Sequence, residues 1–195
     1  KKWRTNKKPY HEKNIFHCDL RPDNIMVTNS LRGGINFTNP EIKLLDFGLA
    51  KTPDTYIENQ ASPFALIYSP PEQLLNYNNI VNAQSDIYSL GITLYECLTG
   101  DYAYKHINPE MIMQMQLNLP LKENGNISAG VFEVIKKATA KTTFRLPPSK
   151  LSEEEIIQTI HSGMQNRFNN VNDLKAELLS ALNPVEKKKK SIFKW

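Results

Sequence analysis

The stretch His17-Cys18-Asp19-Leu20-Arg21-Pro22-Asp23-Asn24 is followed, 22 residues after Asn24, by Asp46-Phe47-Gly48. Together they hold three groups suited to phosphoryl transfer. Asp19 can accept or orient a hydroxyl proton, and Asn24 and Asp46 offer the hard oxygen ligands that Mg²⁺ prefers. Pro22 fixes φ between them, which helps two short polar side chains converge on one point. Either piece alone is a weak signal. An isolated Asp-x-x-x-x-Asn is usually a turn whose side chains bond their own backbone, and an isolated Asp-Phe-Gly usually opens a loop. In this order and at this separation they are a strong one.

The pattern resembles the protein-kinase catalytic loop, H-R-D-L-x-x-x-N, with its D-F-G partner. The resemblance implies that Asp19 is the catalytic base and that Asn24 and Asp46 hold the metal and, through it, the nucleotide. His17, Phe47 and Gly48 are then structural members of the two motifs. Arg21 stands where Ser/Thr-type kinases carry Lys, the cation that neutralises the γ-phosphate. It keeps the charge but spreads it over a planar fork. Pro70-Pro71-Glu72 matches the end of an activation segment, with Glu72 implied to form a buried ion pair with a distant Arg. Arg167 is the candidate, and burying either charge alone is costly, so the two stand or fall together. Ser85-Asp86-Ile87-Tyr88-Ser89-Leu90-Gly91 closely resembles the buried central helix of the kinase large lobe, where Asp86 would accept N–H bonds from the catalytic loop. Without the resemblance, Asp86 is a first-turn Asp favoured by the helix dipole.

Two departures stand out. Cys18 replaces the Arg that pairs with a phosphorylated activation loop, a non-RD pattern that argues against control by that phosphorylation. Ala65 occupies the place of a Thr beside the catalytic Asp, which puts full activity or hydroxyl specificity in doubt. Thr52, Thr55, Tyr56 and Ser62 are modifiable hydroxyls in a polar loop, and such hydroxyls are usually no more than that.

Composition narrows the alternatives. At 195 residues the chain supports one domain with a real core, or a large piece of one. Hydrophobic content of 40% and charge of 23% are ordinary for a soluble globular protein. The net charge of +4 is mild and four of its lysines form one tail run, so no nucleic-acid footprint is expected. Cys18 and Cys97 suggest neither a disulfide framework nor a zinc spacing, which fits a reducing, cytoplasmic setting. No run approaches the ~18 apolar residues of a membrane span, and no signal peptide is present. The first residue is Lys rather than Met, as in a cut or processed piece.

The elements that must position these groups are partly readable. Ile25-Met26-Val27 and Ile42 to Leu45 read as short strands, joined by a turn-rich connection from Asn29 to Pro40. Ser85 to Leu98 reads as a helix capped by Ser85, with Ile87, Leu90, Gly91, Leu94 and Leu98 in one apolar stripe and Gly100 ending it. Asn108-Pro109 opens a Met-rich helix from Met111 to about Asn118. Its methionines read as adaptable packing, although this helix docks partners in some kinases. Ser128 caps a further helix, and Ser152 with Glu155 makes a capping box ahead of Ile156, Ile157, Ile160 and Met164. A final helix runs from about Asn172 to Leu182, stopped by Asn183-Pro184.

The expected fold is α+β, mostly α: the large lobe of a bacterial-like, Hanks-type Ser/Thr kinase with short β-hairpins around the catalytic loop. Residues 1–9 are expected to be a poorly ordered or truncated start. Residues 10–183 are the lobe, with an insertion at about 141–165, and 184–195 are a basic-aromatic tail. No Gly-rich loop or Val-Ala-Ile-Lys strand appears, and Gly33-Gly34 lies after the catalytic loop, in the wrong order. The small lobe that covers ATP is therefore expected to be missing, and the chain alone to be weak or inactive. The implied reaction is transfer of the ATP γ-phosphoryl group to a protein Ser or Thr hydroxyl, with Mg²⁺ (or Mn²⁺) as the metal. The competing reading is a pseudokinase or protein-docking module. Cys18 and Ala65 lean toward it; Asp19, Asn24 and Asp46 lean away, since a scaffold needs no such set.

The tail, Lys187 to Lys190 followed by Ile192, Phe193 and Trp195, is either a solvated end or a segment lying on anionic lipid. On the lipid reading the protein co-sediments with anionic liposomes and loses this on deletion of the last nine residues; equal sedimentation would sink it.

Overall fold

The computed structural model describes residues 10–28, 40–50 and 65–183. The start at 1–9, residues 29–39 of the connection, Thr52, Thr55, Tyr56, Ser62 and the tail from Lys187 to Trp195 lie outside the described residues.

In chain order the elements are β1 (Ile25–Thr28), β2 (Glu41–Leu44), α1 (Pro71–Leu74), α2 (Ala83–Thr99), α3 (Pro109–Asn118), α4 (Ala129–Ala138), α5 (Glu153–Met164) and α6 (Val171–Leu182). β1 and β2 form an antiparallel pair in which Ile25 faces Leu44 and Thr28 faces Glu41. This register puts Asn24, just before β1, and Asp46, just after β2, at one end of the hairpin. A bond from Leu45 N–H to Asn24 O of 2.9 Å extends the pairing there.

The helix α2 is the interior of the molecule. Asn82 caps it by accepting from Gln84 N–H, and Ser85, at the third helical position, bonds back to Asn82 N–H. The cap is thus Asn82, with Ser85 as its reciprocal partner rather than the cap itself. Gly100 ends the helix at φ +74°, a left-handed conformation that glycine adopts without a Cβ penalty. The single stripe expected for α2 is too narrow. Ser85, Asp86, Ile87, Tyr88, Ser89, Gly91, Ile92, Thr93 and Tyr95 are all buried, while Leu98 is 42% exposed. A helix enclosed by neighbours on most sides has no one apolar face to read.

Three clusters meet on α2. Tyr88 and Ile92 pack with Ile67, Tyr68, Tyr104 and Ile112. Ile87 packs with Val134, Ala138, Phe168 and Leu174, and Tyr95 with Ile127, Val131, Phe132 and Ile135. A Cβ on Gly91 would lie 2.7 Å from Thr139 Cγ2 and 3.0 Å from Ala138 Cβ, so the close approach of α4 requires glycine there. The helix α3 begins at Pro109 with Asn108 as its cap. Ser128 precedes α4 with no side-chain cap bond, and Asn170 caps α6, which starts at Val171. The capping box of Ser152 and Glu155 is present at the start of α5. Within the stretch at 141–165, Ile156, Ile160 and Met164 pack against Leu75, Tyr77, Ile80, Phe144 and Leu151. This brings α5 under the chain that follows α1.

Glu72, in α1, and Arg167, between α5 and α6, meet in the core. Arg167 donates from Nη1 to Glu72 Oε1 at 2.6 Å and from Nη2 to Oε2 at 3.1 Å, with both side chains almost fully buried. Ser85 Oγ also donates to Glu72, and Arg167 Nε to Ala140 O. Arg167→Met should cost about 3–5 kcal/mol of unfolding free energy, because it strands a buried carboxylate. In denaturant titrations the double variant Glu72→Met/Arg167→Met should cost less than the sum of the single ones; additive costs would show that the charges act independently.

Candidate active site

The loop from His17 to Asn24 has little regular structure of its own: one 3-10 turn, Pro22–Asn24. It is held from outside. Asp86, on the first turn of α2 and 2% exposed, accepts His17 N–H at 2.8 Å on Oδ2 and Cys18 N–H at 2.9 Å on Oδ1. His11 Nε2 donates to the same Oδ2 at 2.8 Å. Gln73 Nε2 donates to Cys18 O at 2.9 Å, and Thr93 Oγ1 to Leu20 O at 3.2 Å. These ties hold Cys18 at φ +64°, a left-handed conformation that costs a non-glycine residue on the order of 1–2 kcal/mol.

This brings the polar groups together. Asn24 is buried, and its amide nitrogen donates to Asp19 O and to Asp19 Oδ2, both at 2.8 Å. With its nitrogen on Asp19, the Asn24 side-chain oxygen faces away from it. Among the described residues no side-chain or backbone bond reaches Asp19 Oδ1, so this second oxygen keeps acceptor capacity. Arg21 lies beside the carboxylates, with Nε 3.9 Å from Asp19 Oδ2 and Nη2 3.3 Å from Asp23 Oδ2. Its buried Nε has no hydrogen-bond partner among the described residues, so the fork retains donor capacity beside Asp19. Cys18 is buried and brings no charge to this place.

Asp46 sits at φ +52°, and its Oδ1 accepts Gly48 N–H at 3.0 Å. A Cβ on Gly48 would come within 2.9 Å of that oxygen, so a larger residue would disturb the turn. His17 Nε2 donates to Leu45 O at 2.9 Å, and its ring lies 4.7 Å from that of Phe47, which also touches Tyr10 at 5.2 Å. The loop and the Asp46 turn are therefore joined through His17. An amide oxygen and a carboxylate at one end of a hairpin are a donor set that fits Mg²⁺. No group of three or more His, Cys, Asp or Glu capable of holding a metal by themselves occurs among the described residues.

The sequence assigns no role to His11, Gln73 or Thr93. Each is one common residue type whose partner lies 55 to 75 positions away, so no local spacing marks it.

Comparison with known proteins agrees with this geometry. The protein kinase domain family matches residues 8–169. Serine/threonine-protein kinase PknB of Mycobacterium leprae is 31% identical over 166 residues, covering 78% of this chain and 24% of its own length. PknB of Mycolicibacterium smegmatis is 30% identical over 145 residues, covering 67% and 20%. Serine/threonine-protein kinase pkn2 of Myxococcus xanthus is 24% identical over 163 residues, covering 79% and 19%. The chain belongs to the protein kinase family, and its relatives include bacterial Ser/Thr kinases. It spans about a fifth to a quarter of the length of those relatives.

Proposed function

We propose that this chain is the large-lobe part of a Ser/Thr protein kinase that transfers the ATP γ-phosphoryl group to protein hydroxyls. The observation that carries the reading is the convergence of Asp19, Arg21 and Asn24 on one partly buried, externally braced loop, with Asp46 at the same end of the adjoining hairpin. Asp19 orients the acceptor hydroxyl and takes its proton on Oδ1, while Asn24 holds Oδ2 in place. Arg21 offers positive charge where negative charge builds on the transferred group. Asn24 and Asp46 would hold Mg²⁺, which when bound neutralises the nucleotide phosphates. Catalysis of this kind is mainly positioning, and the bonds to Asp86 supply it.

The apolar cavity of about 450 Å³ between the loop, the hairpin and α2 supports a further part of the reading. It is lined by Ile15, Leu20, Ile42, Phe47 and Leu94. Such a surface beside the catalytic loop suits a lobe that is covered by additional apolar structure, and the chain taken alone is proposed to bind ATP weakly. The docking-module alternative is the weaker reading, because binding a partner does not require Asn24 to orient the Asp19 carboxylate.

In the intact protein, Asp19→Asn should lower the rate of phosphate transfer to a protein acceptor by about 10²–10⁴-fold while leaving the fold unchanged. Radiolabel transfer with thermal melting as the control checks this. Equal transfer by the two proteins would overturn the assignment.

A further inference from the structure

Lys141, just beyond α4, turns its amine inward against the end of α3. Nζ donates to Gln116 O and to Tyr104 Oη at 2.9 Å, and it lies 4.5 Å over the Tyr104 ring. Tyr104 is itself buried, and its O–H donates to Leu119 O at 2.9 Å. Lys141 and Tyr104 together thus hold the last turn of α3 and the residue that follows it. An ammonium carries three N–H donors and a neutral amine two. Among the described residues Nζ meets two acceptors, both neutral oxygens. The neutral amine matches this site donor for acceptor. The ammonium brings a further proton and a charge, which the face of the Tyr104 ring offsets only in part.

The elements packed around Lys141 supply no counter-charge to it. Arg167 Nε donates to Ala140 O, one residue before Lys141, so a guanidinium lies nearby. Glu72 in α1 is engaged by Arg167 and by Ser85 Oγ. Tyr88 in α2 donates to the Gln116 side chain, and burial pushes its hydroxyl and that of Tyr104 up, so both stay neutral. Lys136 and Lys137 of α4 are exposed and pair with Glu133 and Glu177. The helix α5 meets Lys141 through Gly163, where a Cβ would lie 2.8 Å from Lys141 Cα, while His161 on its last turn is exposed. Burial first, and then the Arg167 charge, pushes the Lys141 amine from its ordinary 10.5 down to about 7.

We propose that Lys141 is a proton-sensitive latch on the end of α3: the neutral amine holds the last turn closed, and protonation favours its local opening. When the turn opens, water reaches the amine and its proton affinity returns to the ordinary lysine value. Between about pH 7 and 10.5 the open form binds a proton that the closed form lacks, so the closed form gains as pH rises and loses as pH falls. Below about 7 both forms are charged and the dependence ends. Because the Gln116 side chain accepts Tyr88 O–H, an open turn also loosens α3 from α2. The latch goes beyond the kinase reading and does not depend on it.

Amide hydrogen exchange, corrected for its intrinsic pH dependence, reads the opening at Leu117 and Leu119. From about pH 7 to about pH 9 the opening should become on the order of tenfold rarer. Lys141→Met, which spans a similar length without titrating, should change less than about twofold over the same range. No pH dependence in the unmutated protein, or the same dependence in Lys141→Met, overturns the proposal. If Lys141→Met does not fold, nitrogen NMR of the lysine side chains in the unmutated protein decides. An amine in contact with the Tyr104 ring that titrates near 7 supports the latch, and ordinary lysine titration of that amine overturns it.

Discussion

The structure depends on one buried carboxylate. Asp86 is 2% exposed, and a charge taken that far from water is stable only when its oxygens are fully used. Here they accept two consecutive backbone N–H groups, from His17 and Cys18, and the His11 ring. The constraint acts in both directions. The loop supplies the donors that make the buried charge tolerable, and the charge fixes a loop that has no ladder of its own. Charge-assisted bonds of this kind are stronger than neutral ones, which explains how Cys18 is kept at positive φ.

A second buried pair sets the other edge of the site. Glu72 and Arg167 lie 95 residues apart in sequence and close the chain between α1 and the turn before α6. The Ser85 hydroxyl bonds Glu72 while Asp86, next in sequence, bonds the loop from His17 to Asn24. One turn of α2 therefore positions both the loop that carries Asp19 and the helix that follows the segment at 65–69. The three hydrophobic clusters around α2 pack that turn against its neighbours. Packing holds the helix, the helix holds two carboxylate-centred networks, and the networks hold the groups proposed to meet the reactants.

Much of this was legible in the residues, for reasons that can be named. The run from His17 to Asn24 and the Asp46 turn are local patterns, and spacing carries them. Helices with local stop and start chemistry, such as α3 behind Asn108-Pro109 and α5 behind Ser152 and Glu155, could be read closely. Asn82 and Ser85 are both capping types three residues apart, so the sequence alone did not separate the cap from its reciprocal partner. Leu98 continued the apolar period of α2 past the point where neighbours cover it. Gln73 and Thr93 were not legible at all, because each acts on backbone carbonyls brought near only by the fold.

The measurement that bears most directly on the role of Asp86 is amide hydrogen exchange of the protein and of Asp86→Asn, a change of almost no volume. The account predicts that the segment containing His17 and Cys18 exchanges about 10–100-fold faster in the variant, while α4 and α6 stay protected. Unchanged exchange at His17 and Cys18 would show that the loop is held by other means and would contradict it.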